Sequence, residues 1–201
     1  KFAWRTINGE ETSAYYPAST AQYHINSDIA YAVIQYYKLY QDETFMTHKG
    51  FPIILETARF FKDLVTKHDG MYHIHHVTGP DEYNAVVDDN YYTNAMLKYH
   101  LEFLLDYTKT RDDLIKEAER DLFQDIANQI YLPFHPGHNI DLQDASFLAK
   151  KPVDLDTIPE DKKPLLLHYH PLTIYRFQVL KQADTVLAHM FLFDRPLDIM
   201  Q

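Results

Sequence analysis

The chain has 201 residues, 46% of them hydrophobic, no cysteine and a formal net charge of −10, which fits one domain or a piece of a larger one. The missing cysteines exclude a disulfide framework and thiolate chemistry, and the acidity argues against nucleic acid or an anionic membrane as partner, since both are met by basic patches. No apolar run reaches the roughly 20 residues of a membrane span, the opening Lys1-Phe2-Ala3-Trp4 carries no initiator methionine or signal peptide, and both ends read as cut from a longer protein.

Thr20 can cap a first helix over 20–40, where Tyr23, Ile29, Val33, Ile34, Tyr37 and Leu39 recur at near-helical spacing. A second helical region over 43–67 meets Gly50 and Pro52, so the sequence predicts a short segment, a break and a helix over 53–65. His68-Asp69-Gly70 closes it, with Gly70 as the helix C-terminal residue. Residues 71–78 alternate, with Tyr72, Ile74 and His76 on one face of a strand and Met71, His73, His75 and Val77 on the other. Asp88-Asp89-Asn90 offers capping groups for a helix over 91–107, in which Met96, Leu97, Leu101, Leu104 and Leu105 are apolar. Asp112 and Asp113 lead into a further helix that ends near Ile130.

Residues 131–171 are punctuated by Pro133, Pro136, Pro152, Pro159, Pro164 and Pro171 and read as irregular. Loops of that length inside a compact domain are usually functional. The last helical stretches are 172–179 and 183–193. Helices dominate, their apolar stripes form no sustained heptads, and long loops separate them. The pattern predicts an all-α chain with a short β segment near 71–78, arranged as a helical toroid or array.

The segment most able to carry chemistry is Thr78-Gly79-Pro80-Asp81-Glu82-Tyr83-Asn84. Gly79 and Pro80 predict a turn that presents the two carboxyls in a set direction. A carboxylic acid in a partly apolar pocket, with the Tyr83 phenol beside it, is what general acid catalysis on a glycosidic oxygen requires. The plainer reading is a surface loop whose acids cap a following turn. In Trp4-Arg5-Thr6-Ile7-Asn8-Gly9-Glu10-Glu11-Thr12, an exposed Trp4 can stack on a sugar face while Glu11 and its neighbours hydrogen-bond hydroxyls. Alternatively Trp4 belongs to the core. Lys181-Gln182-Ala183-Asp184 lies between two helical stretches. Lys181 and Gln182 can donate to sugar hydroxyls, or simply form a solvated helix end. The 16 tyrosines and 12 phenylalanines suit either a sugar cleft or helix–helix packing. Twelve histidines, among them His73, His75 and His76, occur without cysteine, HExxH or a tight carboxylate–histidine pair, so no metal site is expected.

Three blocks carry a resemblance: WRTINGEETSAYYPASTAQYHINSDIAYAV, GPDEYNAVVDDNYYTNA and VLKQADTVLAHMFLF, in this order. Together they resemble the catalytic domain of glycoside hydrolase family 65, which includes maltose, trehalose, kojibiose and nigerose phosphorylases. The resemblance implies an (α/α)6 barrel, of which 1–201 is the later part, between an N-terminal β-sandwich and a small C-terminal β domain. It implies that Glu82 is the general acid, that Lys181 and Gln182 bind the transferred glucosyl unit, and that Trp4, Glu11 and Tyr83 shape the sugar cleft. A Trp-Asp segment gripping the same unit is expected upstream of Lys1, and a phosphate loop downstream of Gln201. Asn84 departs from a GPDEYH form of the motif. The implied reaction is inverting phosphorolysis of an α-linked glucose disaccharide, maltose by default, to β-glucose 1-phosphate and glucose. Phosphate is the co-substrate and no cofactor is expected. A cytoplasmic homo-oligomer is expected, completed by the remaining segments of the same protein. The alternatives are an inverting hydrolase of the same family, similar to acid trehalase, and a non-catalytic carbohydrate-binding helical fragment.

Overall fold

A computed structural model describes residues 1–12 and 17–192, with the side chains of Pro17 and Ala18 left aside. An N-terminal hairpin pairs β1 (Thr6–Ile7) with β2 (Glu10–Glu11). A single helical turn, α1 (Pro17–Thr20), precedes α2 (Ile25–Tyr40). The helix expected over 20–40 therefore starts later, with His24 and not Thr20 at its N-cap. The reason is tertiary. Ala21 O accepts from Thr78 N at 3.0 Å and Gln22 Nε2 donates to Gly79 O at 3.4 Å, which holds the chain out of helix there.

No break follows α3 (Glu43–Phe45). A π-helical turn, Met46–Gly50, carries the chain into α4 (Phe51–Leu64) through a Phe51 N–H to Met46 O bond. Pro52 stands in the first turn of α4, where a missing N–H is tolerated. Nor does Gly70 end a helix. Asp69 (φ +49°) and Gly70 (φ +83°) form the turn between β3 (Thr66–His68) and β4 (Met71–His73), a pair of positive φ values that an Asp-Gly hairpin favours. The expected strand over 71–78 is thus a short antiparallel pair, and only an isolated bridge joins Val77 to Val87 beyond it.

The long helix α5 (Tyr91–Thr108) is the centre of the chain. Asn90 caps it, accepting from Thr93 N at 3.0 Å, as Asp88-Asp89-Asn90 predicts. It packs against α2, α4 and α6 (Glu117–Gln129), so it is buried almost all round and its apolar pattern shows little amphipathic contrast. Lys116, and neither Asp112 nor Asp113, precedes α6. Ile34, Ile54, Phe61, Leu97, Leu101, Leu104, Phe123 and Ile126 form the core among these helices.

From 131 onward the chain is irregular, as the prolines predict. It contains β5 (Phe134–His135) paired with β6 (Ile140–Asp141), four short 3-10 turns, and β7 (Lys151–Pro152). The helix expected over 172–179 is only α7 (Pro171–Ile174), because residues after it return as β8 (Phe177–Gln178), parallel to β7. Finally α8 (Asp184–Phe191) packs on α5. Residue 193, where the sequence reading ends this helix, lies outside the described residues. The described residues are about half helical and form four two-stranded pairs, against the one β segment expected.

Candidate active site

The Gly79-Pro80-Asp81-Glu82-Tyr83 segment sits on a loop closed at its base. Val77 and Val87 exchange both backbone hydrogen bonds at 2.8 Å. Thr78 Oγ1 accepts from Val86 N at 3.1 Å, and Val86 itself has φ +56°. The hydrogen-bonded turn starts at Asp81: Asn84 N donates to Asp81 O at 3.3 Å and Tyr83 N to Asp81 Oδ1 at 3.1 Å. This is an Asx turn, in which the aspartate closes the loop on itself. Gly79 is not in the left-handed region. Its role is close approach, since a β-carbon there would lie 2.4 Å from both Asn90 Nδ2 and Asp184 Oδ2.

Asp81 is fully buried. Its carboxylate accepts from five donors: Tyr83 N, Lys181 N (3.0 Å) and Gln182 N (3.2 Å) on Oδ1, and Asn84 Nδ2 (2.6 Å) and Gln143 Nε2 (3.3 Å) on Oδ2. Burying a carboxylate costs several kcal/mol unless its lone pairs are met, and here they are. The two donors from 181–182 bring that loop onto the 81–84 turn.

Glu82 is consequently beside Lys181. Lys181 Nζ donates to Glu82 Oε2 at 2.5 Å, with the two side chains 43% and 39% exposed. The pocket expected to be partly apolar is thus open on one side and carries a cation. Glu82 raises the pKa of the Lys181 ammonium by accepting its hydrogen bond. Gln182 is exposed, and its carbonyl accepts from Gln143 Nε2 at 3.4 Å. Tyr83 is buried, packing with Ile174 and Val179. Behind it lies an apolar cavity of about 210 Å³ lined by Val153, Leu165, Phe177 and neighbours. That lining has few polar groups, whereas a sugar site needs several, so the cavity is a separate feature from the Glu82–Lys181 pair.

The structure thus gathers Glu82, Tyr83, Lys181 and Gln182 around Asp81. Trp4 and Glu11 lie on a different element, the N-terminal hairpin. Trp4 is 41% exposed, against its reading as a core residue. Glu11 Oε2 lies 3.8 Å from Lys1 Nζ, which donates to Thr20 O at 2.8 Å, so this hairpin is tied to the segment that binds Thr78 and Gly79.

Several contacts of the site carry no signal in the sequence. Asn84 donates to Val179 O at 2.9 Å and accepts from Lys150 Nζ at 2.5 Å. Lys150 also meets buried Asp144 at 3.2 Å. Asp184 is buried, and burial pushes its pKa up to about 7, with the Asp81 and Asp144 charges adding to the rise and the Asn90 amide, 2.8 Å away, opposing it. His73 is held structurally: its Nδ1 lies 2.8 Å from Asp89 Oδ2, and Asp89 Oδ1 accepts from Ile74 N and Asn94 Nδ2.

The model of the glycosyl hydrolase family 65 central catalytic domain matches residues 1–201, and the chain belongs to that family. It is 47% identical over 206 residues to the α,α-trehalose phosphorylase of Geobacillus stearothermophilus, covering 96% of this chain and 27% of that protein. The α,α-trehalose phosphorylase of Thermoanaerobacter brockii is 45% identical over 207 residues, covering 95% and 27%. A solved structure from the human microbiome, assigned as a kojibiose phosphorylase, superposes with a TM-score of 0.84 at 25% identity, over 96% of this chain and 30% of that one. The chain spans about a quarter of the length of the curated relatives it matches.

Proposed function

We propose that this chain supplies the proton donor and part of the glucosyl grip of a disaccharide phosphorylase. The observation that carries the reading is the Glu82–Lys181 pair, two side chains brought within 2.5 Å from positions 99 residues apart. Glu82 as a carboxylic acid gives its proton to the glycosidic oxygen while the C1–O bond breaks. A phosphate oxygen attacks C1 from the opposite face, so an α-glucoside yields β-glucose 1-phosphate and glucose. An inverting hydrolase needs a second carboxylate to activate water. Phosphate is already anionic, so one protein acid suffices and no further cofactor enters. Lys181 has three N–H donors, of which Glu82 takes one; the others suit glucosyl hydroxyls, with the exposed Gln182 amide beside them. Trp4 and Glu11 would form the wall on the hairpin side.

The substrate we propose is an α-linked glucose disaccharide. Maltose was the default expectation. The two trehalose phosphorylases at 47% and 45% identity favour α,α-trehalose. We read the chain as the later part of an (α/α)6 barrel within a longer protein that works as a homo-oligomer in the cytoplasm. Val186 and Met190 are 65% and 61% exposed, one turn apart on α8, and the rest of the barrel would cover them. The test is an assay of the full-length protein with phosphate and a panel of trehalose, maltose, kojibiose and nigerose, measuring glucose 1-phosphate and its anomer. Phosphate-dependent β-glucose 1-phosphate from one of them supports the reading. Release of glucose alone, independent of phosphate, supports the hydrolase.

A further inference from the structure

We infer that Asp81 is the positioning residue of this site: its buried carboxylate fixes the proton donor Glu82 relative to the Lys181-Gln182 loop. The inference rests on the reading of Glu82 as general acid and goes beyond it to what aims the acid.

Residues 181–182 belong to no helix or strand, so no regular backbone ladder places them. The Lys181–Glu82 pair cannot place them either, because a half-exposed ion pair of two flexible side chains is worth only about 0–1 kcal/mol. Apart from the Asn84 Nδ2 bond to Val179 O upstream, the direct ties on these two residues form a clamp. Asp81 Oδ1 takes Lys181 N and Gln182 N, the same oxygen closes the turn through Tyr83 N, and Oδ2 takes Asn84 Nδ2 and Gln143 Nε2. Gln143 repeats the tie from the other side by donating to Gln182 O and accepting from Asp184 N at 3.1 Å. The charge is essential to this geometry and not merely the shape. All five partners are donors, so an amide in either orientation would set its own N–H groups against backbone or side-chain N–H groups. Asp81→Asn is nearly isosteric, yet it opens one half of the clamp.

Acid positioning has a signature that fold damage lacks. An α-linked glucose disaccharide needs its leaving oxygen protonated. α-Glucosyl fluoride does not, since fluoride departs as the anion while phosphate forms the new bond to C1. In the full-length protein, Asp81→Asn is expected to lower kcat on the disaccharide on the order of 100-fold, the cost of misplacing a catalytic group by about 1 Å. At saturating α-glucosyl fluoride it should change kcat by less than about threefold, since a looser Lys181-Gln182 grip on the glucosyl unit shared by both substrates is read in KM and the misplaced acid in kcat. The double variant Asp81→Asn/Glu82→Gln should be no slower than Glu82→Gln alone, because residues that act as one unit are not additive. Equal loss on both substrates, or no loss on the disaccharide, overturns the inference. If Asp81→Asn does not fold, Gln143→Leu removes three ties, to Asp81, Gln182 and Asp184, while keeping the Asp81 charge. A disaccharide-selective loss in that variant supports the clamp, and an unselective loss or none overturns it. Full turnover by Glu82→Gln would instead refute the general-acid reading. A dead Glu82→Gln with an unaffected Asp81→Asn refutes only the positioning role.

Discussion

Lys181 Nζ lies 2.5 Å from Glu82 Oε2, and the two residues come from loops that meet only through tertiary structure. The pair is half-exposed, so its meaning is chemical more than energetic. Because Glu82 raises the Lys181 pKa, the pair's small stabilisation is full below the ordinary lysine pKa and fades as pH rises through the higher folded value. Across the neutral range Lys181→Met should therefore leave stability nearly unchanged, within about 1 kcal/mol. If Lys181 grips the glucosyl unit as proposed, the same variant should lower kcat/KM of the full-length protein on the proposed disaccharide by about 10- to 100-fold, as for a charge-assisted bond of about 1.5–3 kcal/mol. Steady-state kinetics beside a melting curve checks both halves.

Gly79 and Gly70 separate two reasons for being glycine. Gly79→Ala drives a methyl to 2.4 Å from Asn90 Nδ2 and Asp184 Oδ2, with backbone φ not at issue. Overpacking of this kind costs about 1–3 kcal/mol. Gly70→Ala meets nothing within 4 Å but holds φ at +83°, costing about 1 kcal/mol through backbone strain. Denaturant titration should rank Gly79→Ala as the more damaging. The reverse order would show that the Asn90 and Asp184 side chains move aside at little cost.

Val86 is a β-branched residue at φ +56° on the loop that carries Glu82, and it is 48% exposed. That backbone conformation costs about 1–2 kcal/mol for such a residue. Asn tolerates it. Val86→Asn should stabilise the protein by about 1 kcal/mol, a rise of roughly 2–4 °C in melting temperature at this size. A lower melting temperature would show that the Val86 side chain contributes more than the strain costs.

Two buried groups oppose one another between pH 4 and 7. Burial holds the Asp184 pKa up at about 7, so the folded state keeps a proton that the unfolded state gives up near the ordinary carboxyl value of 3.8, and stability falls as pH rises through that window. Burial pushes His100 down to about 4, so the unfolded state gains a proton that the folded state refuses, and stability rises with pH from about 4 to the ordinary imidazole value of 6.5. His100 Nε2 lies 2.8 Å from Ile54 O, which suits the neutral ring donating there. Relative to wild type, Asp184→Asn should gain stability as pH rises from 4.5 to 7, and His100→Leu should gain it as pH falls over the same range. Each slope is at most about 1.4 kcal/mol per pH unit. Urea midpoints at stepped pH would show it, and profiles parallel to wild type would contradict it.

Much of the helical frame was legible because its signals are local. Asn90 caps α5, and the apolar spacing of 25–40 is continuous. Local signals also misled. Pro52 reads as a break, yet it stands in a first helical turn, and the extra residue is absorbed by the π turn at Met46–Gly50. Asp69-Gly70 reads as a helix end because one glycine in the left-handed region serves both a C-cap and a hairpin turn. At the site, GPDEY and KQAD could be picked out one at a time. What joins them could not, since Asp81 is bound by N–H groups about 100 residues downstream and by Gln143 from the irregular stretch. Backbone donors have no residue identity, so no pattern in the chain marks them.

The central claim is that Glu82 protonates the leaving sugar. The most direct measurement is phosphorolysis of α,α-trehalose by full-length Glu82→Gln, followed as β-glucose 1-phosphate, with trehalose affinity measured by calorimetry on the same sample. A general acid contributes about 10²–10⁴-fold, so turnover should fall by at least that while the dissociation constant stays within about threefold of wild type. Near-wild-type turnover by Glu82→Gln would contradict the account.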